Sequence, residues 1–444
     1  MSKNLLKQIV TVIIKFYIII VGFSFCQNII TPLSIGSTPF NVLLFLLIPL
    51  VFYLFFSSKK GILIYLNKLP ATYCAFLLII LFSFIPALII APKVGGILPA
   101  VKGLIYYLIS CVCPVVLGIL LKKEHLKYLM IGFFIGFISN ALMSIIVYFA
   151  FNVFGYTLTL SQLFINESFF VPNYFSSAQG LFLEPSHMAG YMLVMIYVLL
   201  WYFKDKIVRS IIIVLAWVCF IMYGMGNLPI FILSQIIVFI HYFRRKIMCF
   251  IKEKIFISKI KIVLFCVIVL LVVIGSVFLC IGPFKTKIIS VFDEANIFSK
   301  NNQERYLSTM VGLQLFLSYP FGVGFNMSGT AISVFYSDVL NTYTTHSYLI
   351  TLLAELGFIG TITFIIFCVL LFKKALRIKD GFLIGIGFLF GIVFAFLDGR
   401  NEPYIYITIG IILSQTNINT LKAIKRLIKQ KRLSSEEEYY EITV

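Results

Sequence analysis

Four short groups of polar residues carry most of the chemistry open to this chain of 444 residues. The first is Leu183-Glu184-Pro185-Ser186-His187, which opens a long apolar run. Proline suits the first turn of a helix, and a glutamate just before it can accept bonds from the free N–H groups there. Glu184 is then either a helix cap or, with His187, the edge of a polar cavity. The second group is centred on Arg305, the sole arginine in two long segments, 152–186 and 283–345. Its rigid fork suits phosphate oxygens; the alternative is an arginine that only reaches for water along its stem. The third is Thr344-Thr345-His346-Ser347-Tyr348-Leu349, followed by Glu355-Leu356-Gly357. An imidazole near its ordinary pKa of ~6.5 can take a proton from a hydroxyl, and on a helix Glu355 lies ~13 Å further along. The fourth is Asp398-Gly399-Arg400-Asn401-Glu402, either a self-neutralised turn or, through Arg400, a second phosphate ligand. No Walker-type loop, dinucleotide fingerprint or spaced metal-ligand cluster occurs, so neither cofactor nor metal is expected.

The composition says what must position these groups. Hydrophobic residues make up 61% of the chain and charged ones 12%, about half the charge of a soluble domain, with a mean hydropathy of +1.05. Single cores stop growing at roughly 250–300 residues, so a water-soluble fold could not bury this much apolar surface. A soluble enzyme, a disordered chain and a disulfide scaffold are thereby excluded, and an all-α polytopic membrane protein is predicted. Apolar runs fall at about 9–26, 39–57, 70–91, 101–121, 127–151, 187–203, 210–226, 228–243, 261–282, 346–372, 381–398 and 403–416, giving about 12 spans.

The net charge of +19 invites a nucleic-acid reading, but its distribution argues against one. With the N-terminus inside, 29 of the 36 Lys and Arg fall on inner connections and 7 on the outer side. Eight acids leave the inner side with an excess of 21 positive charges, and the other nine leave the rest at −2. The positive-inside bias accounts for the whole excess. Basicity therefore predicts topology, a multi-pass membrane protein with both termini on the inner, cytoplasmic side, membrane lipids around it and no nucleic-acid partner.

Most connections are short, as in a bundle of antiparallel neighbours, so residues 1–416 read as a single transmembrane bundle. The exceptions, 152–186 and 283–345, are rich in aromatic and aliphatic residues and read as structured outer loops forming the active-site region. Within the second, 304–319 has helical periodicity, with Tyr306, Met310, Leu313 and Leu317 on one face and Arg305, Ser308, Thr309 and Gly312 on the neighbouring one. It reads as a helix in the outer interface, its polar face toward water or a bundle cavity, stopped by Pro320 and a turn at Gly322-Val323-Gly324. Residues 417–444 form a basic amphipathic cytoplasmic tail ending in acids. The nine cysteines, Cys111 and Cys113 among them, read as small hydrophobes. His125 and His241 sit among basic residues and read as ordinary inner-face groups. The basic, apolar start lacks a small-residue cleavage pattern and reads as a first span.

The order of these groups resembles a known family. A Glu-Pro-Ser-His opening a span is followed by a long outer loop with an arginine-led helix running into Pro320-Phe321-Gly322-Val323-Gly324. His346-Ser347-Tyr348-Leu349 then opens the next span, with Ala354-Glu355-Leu356-Gly357-Phe358-Ile359-Gly360 behind it. Over about 180–365 by motif, and over the whole chain by span count, this resembles the O-antigen polymerase and ligase superfamily, including capsule and exopolysaccharide repeat-unit polymerases. The resemblance implies a GT-C-like, metal-independent glycosyltransferase of the bacterial cytoplasmic membrane. Such an enzyme acts at the outer face on undecaprenyl-diphosphate-linked oligosaccharides, with a flippase and a chain-length regulator as pathway partners. Carried over, Arg305 takes the role of the loop arginine and His346 that of the histidine after the loop. The 152–186 loop has no arginine, unlike many family members, which raises Arg400 as its substitute. The expectation is a polymerase with His346 and Glu184 catalytic and Arg305, Arg400 and His187 binding substrate. The alternatives are an O-antigen ligase or a lipid-linked oligosaccharide flippase.

Overall fold

The computed structural model describes residues 3–27, 33–35, 38–40, 42–57, 69–155, 180–182, 185–223, 228–252, 300–337, 347–398 and 402–415. The expected span 261–282 and the tail 417–444 lie outside them. Described helices are α1 (Lys3–Ser24), α2 (Leu47–Ser57), α3 (Ala71–Phe82), α4 (Phe84–Ile90), α5 (Leu98–Tyr107) and α6 (Cys113–Leu120). They continue with α7 (Lys123–Phe154), α8 (Pro185–Tyr202), α9 (Lys206–Tyr223), α10 (Leu228–Lys252), α11 (Lys300–Ser318) and α12 (Ser328–Phe335). The last are α13 (Tyr348–Ala375), α14 (Phe382–Asp398) and α15 (Pro403–Gln415). Four segments, Ala71–Lys93, Leu98–Leu120, Lys123–Ala150 and Tyr348–Ala375, are helical, long and apolar enough to cross a membrane. The protein is a helical membrane protein.

The structure adds one element to the expected all-α fold. Leu33–Ile35 (β1) and Thr38–Phe40 (β2) pair antiparallel, with Ser34 opposite Pro39. The expected span at 39–57 accordingly starts later, as a 3₁₀ turn at Val42–Leu46 leading into α2. Two prolines shape the long helices. Pro86 has no N–H and its ring crowds the carbonyl four residues back, and the helix breaks at Ser83, between α3 and α4. Pro114 acts likewise on the carbonyl of Ser110, inside a π turn at Leu108–Val112 between α5 and α6.

Three helices form the centre. In α8 every residue from His187 to Trp201 is buried, and α15 is buried from Pro403 to Ser414. An apolar helix without a polar side has to be enclosed by others. Helix α14 packs along α8, α7 and α9 pack on α8, α13 packs on α14, and α1 lies along α7. Lipid tails give no hydrophobic drive for helix pairing, so close approach is what counts. At Gly118 of α6 a Cβ would sit 2.6 Å from the backbone carbon of Gly410 in α15. Toward the outside, Phe358, Ile359, Ile362, Ile366 and Leu370 of α13 are exposed along one stripe, the surface expected against lipid.

Candidate functional site

The site is built where several helices begin at one end of the bundle. The chain enters α8 over Gly180–Phe182, held by Asn140 of α7. The buried Asn140 amide donates to the carbonyls of Cys26 (2.6 Å) and Gly136 (2.8 Å), while its oxygen accepts from the N–H of Leu181 at 2.8 Å. One side chain thus ties the end of α1 to the approach to α8. The Phe182 ring packs 5.3 Å from Tyr191, fixing that entry.

Five residues beyond Phe182, Nδ1 of His187 lies 3.0 Å from Oε1 of Glu402. The side chains are 4% and 15% exposed. Glu402 stands at the start of α15, where its carbonyl accepts from the N–H of Ile405. A protonated imidazole makes this an ion pair, and a neutral one can still donate its Nδ1–H to the carboxylate. The first and fourth sequence groups are therefore in direct contact.

The start of α13 joins the same end through α14. Ser347 Oγ donates to the Phe396 carbonyl at 2.8 Å, and the Tyr348 ring stacks on Phe396 at 6.3 Å. Helix α8 approaches α14 and α15 closely, since a Cβ at Gly190 would lie 2.6 Å from both the Phe394 ring and the Tyr404 hydroxyl. Deeper in the bundle, Tyr107 packs edge-on against Tyr406 (6.0 Å) and Phe325 (5.3 Å), giving an aromatic floor.

The third group is split by a break in α13 at Gly357, whose φ of 67° and ψ of −167° are not helical. The segment after α11 fills the gap. The N–H groups of Val323 and Gly324 donate to the carbonyls of Ala354 and Glu355, at 2.9 and 3.0 Å, and Phe358 N–H donates to the Pro320 carbonyl at 3.2 Å. Irregular backbone at membrane depth is tolerated where protein satisfies its polar groups. Glycine is required there: a Cβ on Gly322 (φ 86°) would lie 2.2 Å from the Glu355 carbonyl oxygen, and one on Gly357 2.4 Å from that of Pro320. The buried carboxylate of Glu355 accepts from Ser328 Oγ at 2.7 Å and from the N–H groups of Asn326 and Ser328, securing the start of α12. Asn326 in turn donates to the Pro99 carbonyl at 2.8 Å, and Phe325 N–H to Ser83 Oγ at 3.2 Å, tying the loop to α3–α5.

Helix α11 differs from its expected pose. Ser308 and Gly312 are buried with Val311 and Leu315, facing the α13 side, while Tyr306, Met310, Leu313 and Leu317 are exposed. The helix packs on α13, and the segment at its C-terminal end reaches the break. The neighbouring faces are as expected, but the polar face expected toward water or a bundle cavity is split, with Ser308 and Gly312 buried against protein, Thr309 half-buried and Arg305 exposed. Arg305 is exposed near its start, and its carbonyl accepts from Ser308 and Thr309 at 2.9 Å each. No hydrogen bond or ion pair links its guanidinium to another described residue.

Of the expected site residues, His187 and Arg305 are described and do not touch each other; Glu184, His346 and Arg400 lie outside the described residues. Sequence reasoning assigned no role to Glu402 or Glu355. A carboxylate two residues beyond Arg400, and one beside Leu356-Gly357 after a Gly-Val-Gly turn, are the signals that could have found them. Among the described residues no group of three or more His, Cys, Asp or Glu is assembled as for a metal ion.

Residues 225–365 match the family described as O-antigen ligase, about a third of the chain. The match takes in α11, the glycine turn, α12 and α13 through its break, and it supports the O-antigen polymerase and ligase superfamily. No curated protein matches the chain.

Proposed function

We propose that this protein polymerises undecaprenyl-diphosphate-linked oligosaccharide repeat units into O-antigen, capsular or exopolysaccharide chains at the outer face of the bacterial cytoplasmic membrane. The observation that carries the reading is the meeting of helix starts. His187 of α8 contacts Glu402 before α15, and Ser347 before α13 is bonded to α14, within a chain whose residues 225–365 match the O-antigen ligase family. These described residues flank Glu184, Arg400 and His346 in sequence.

In this reading the enzyme is a metal-independent, GT-C-like glycosyltransferase. A hydroxyl of the acceptor sugar attacks the anomeric carbon of the donor, His346 takes its proton as general base, and the lipid diphosphate departs. Arg305 and Arg400 neutralise that diphosphate, on which negative charge builds as the glycosidic bond breaks. Glu184 orients the acceptor or shares the base role, and His187 lines the sugar site. The glycosyl diphosphate itself supplies the driving force. A chain-length regulator and a flippase of the same pathway are the expected partners.

The test is a membrane-vesicle assay with lipid-linked repeat units delivered to the outer side. Lengthening of the lipid-linked chain, lost in His346→Ala at matched expression, is the expected result. Transport without lengthening would replace the reading with a flippase. The family description favours a second reading, ligation; glycan appearing on a separate acceptor instead of a longer lipid-linked chain identifies it.

A further inference from the structure

At the end of α8 away from His187, ~21 Å along the helix axis, Trp201 and Tyr202 line a cleft of about 930 Å³. Its rim is basic. Lys122, Lys123 and Lys127 come from the turn and first residues of α7, Lys204 from the end of α8, and Lys379 from the turn before α14. Two carboxylates, Glu124 and Asp380, also line it, leaving an excess of three positive charges. Lys204 is already committed, its Nζ 3.1 Å from Asp380, and the indole of Trp201 donates to the Lys379 carbonyl at 3.4 Å. Lys122, Lys123, Lys127 and Lys379 are exposed, and no ion pair neutralises them among the described residues.

We propose that this cleft is a binding site for the phosphate headgroup of an anionic phospholipid. Three features point there. The lysines come from three separate connections and surround a cavity rather than being scattered along one helix. The indole and phenol that border it are the side chains enriched at headgroup level. The charge count assigns this end to the cytoplasmic side, where anionic lipid is the most abundant fixed negative charge, and basic pockets between helices on that side hold such headgroups. The headgroup phosphate binds between the uncommitted lysines, with the acyl chains leaving along the bundle surface. The site is independent of the chemistry proposed at the other end.

The same phosphate chemistry could be met by free phosphate, so the experiment separates the two. Purified full-length protein is offered phosphatidylglycerol, phosphatidylethanolamine or inorganic phosphate, and retained lipid is counted by native mass spectrometry. Lys122→Gln, Lys127→Gln and Lys379→Gln are combined, and the matching triple Arg variant keeps the charge. The expected result is retention of phosphatidylglycerol over phosphatidylethanolamine, no displacement by millimolar phosphate, and a roughly hundredfold weaker affinity in the Gln variant, about fivefold per lysine. The Arg variant should behave as the unmodified protein. Equal retention of both lipids, unchanged retention in the Gln variant, or displacement by phosphate would each overturn the proposal.

Discussion

Nδ1 of His187 and Oε1 of Glu402 lie 3.0 Å apart although the residues are more than two hundred positions apart in sequence. Both belong to segments that start helices, so the contact fixes how α8 and α15 begin side by side. Removing one partner of a buried charge-assisted pair leaves the other uncompensated, a cost of ~3 kcal/mol. His187→Ala and Glu402→Ala should each lower thermal stability in detergent, and the double variant should lose little more than either single one. A coupling of ~1–3 kcal/mol is expected for residues in direct contact. Additive losses in that cycle would show that the two residues act separately.

Gly322 and Gly357 interlock, each backbone occupying the space where the other segment's Cβ would need to be. Alanine at either position combines strain from a positive φ, of order 1–3 kcal/mol, with overlap against backbone atoms that cannot swing aside. Gly95 is the control, since its φ is +84° but nothing lies within 4 Å of an added Cβ. Gly322→Ala and Gly357→Ala should therefore reduce folded yield and apparent Tm far more than Gly95→Ala. Equal effects in a thermal-shift measurement would mean that strain alone, rather than the interlock, sets the requirement.

Glu355 accepts from one hydroxyl and two backbone N–H groups while buried. Hydrogen bonds to a charged acceptor contribute about 1.5–3 kcal/mol each, and unmade ones leave buried donors unsatisfied. Glu355→Ala should consequently cost more stability than Ser328→Ala, which deletes one donor and leaves the backbone bonds. Glu355→Gln should fall between, because its amide oxygen still accepts but its NH₂ group cannot. Thermal unfolding of the three variants in one detergent gives the ranking directly.

Helix positions are legible in the sequence wherever apolar runs are long and bounded by charge, as for 127–151 inside α7 and 346–372 overlapping α13. Which helices are central is not legible. Helices α8 and α15 are apolar on every side, and so are lipid-facing spans, so hydropathy cannot separate enclosure by protein from enclosure by lipid. The orientation of α11 is hidden for the same reason. A water-facing amphipathic helix would turn Tyr306, Met310, Leu313 and Leu317 inward, whereas here Ser308 and Gly312 are buried and those bulky four are exposed. At the site, the polar groups are legible one by one because ionisable residues are scarce in an apolar chain. The pairing of His187 with Glu402 and the bracing of the α13 break by the glycine turn depend on tertiary contacts between distant segments, which spacing alone does not encode.

Arg305 tests the proposed chemistry at the group nearest to the described scaffold. It stands exposed near the start of a helix anchored to α13, with its guanidinium uncommitted among the described residues. A diphosphate carries at least two negative charges, and more charge builds on it as the glycosidic bond breaks, so a fixed cation there stabilises the transition state beyond the ground state. Losing one such donor typically costs ~3 kcal/mol, or about 10²–10³ in rate. Lysine retains the charge but not the two-pronged geometry of a guanidinium. Polymer amount and chain length at matched expression should therefore be greatest for the unmodified protein, lower for Arg305→Lys and least for Arg305→Ala. An arginine that only reaches for headgroups would give a different pattern, with lysine as good as arginine and alanine nearly harmless. Near-normal polymer from Arg305→Ala would remove Arg305 from the diphosphate site and leave Arg400 as its remaining candidate cation.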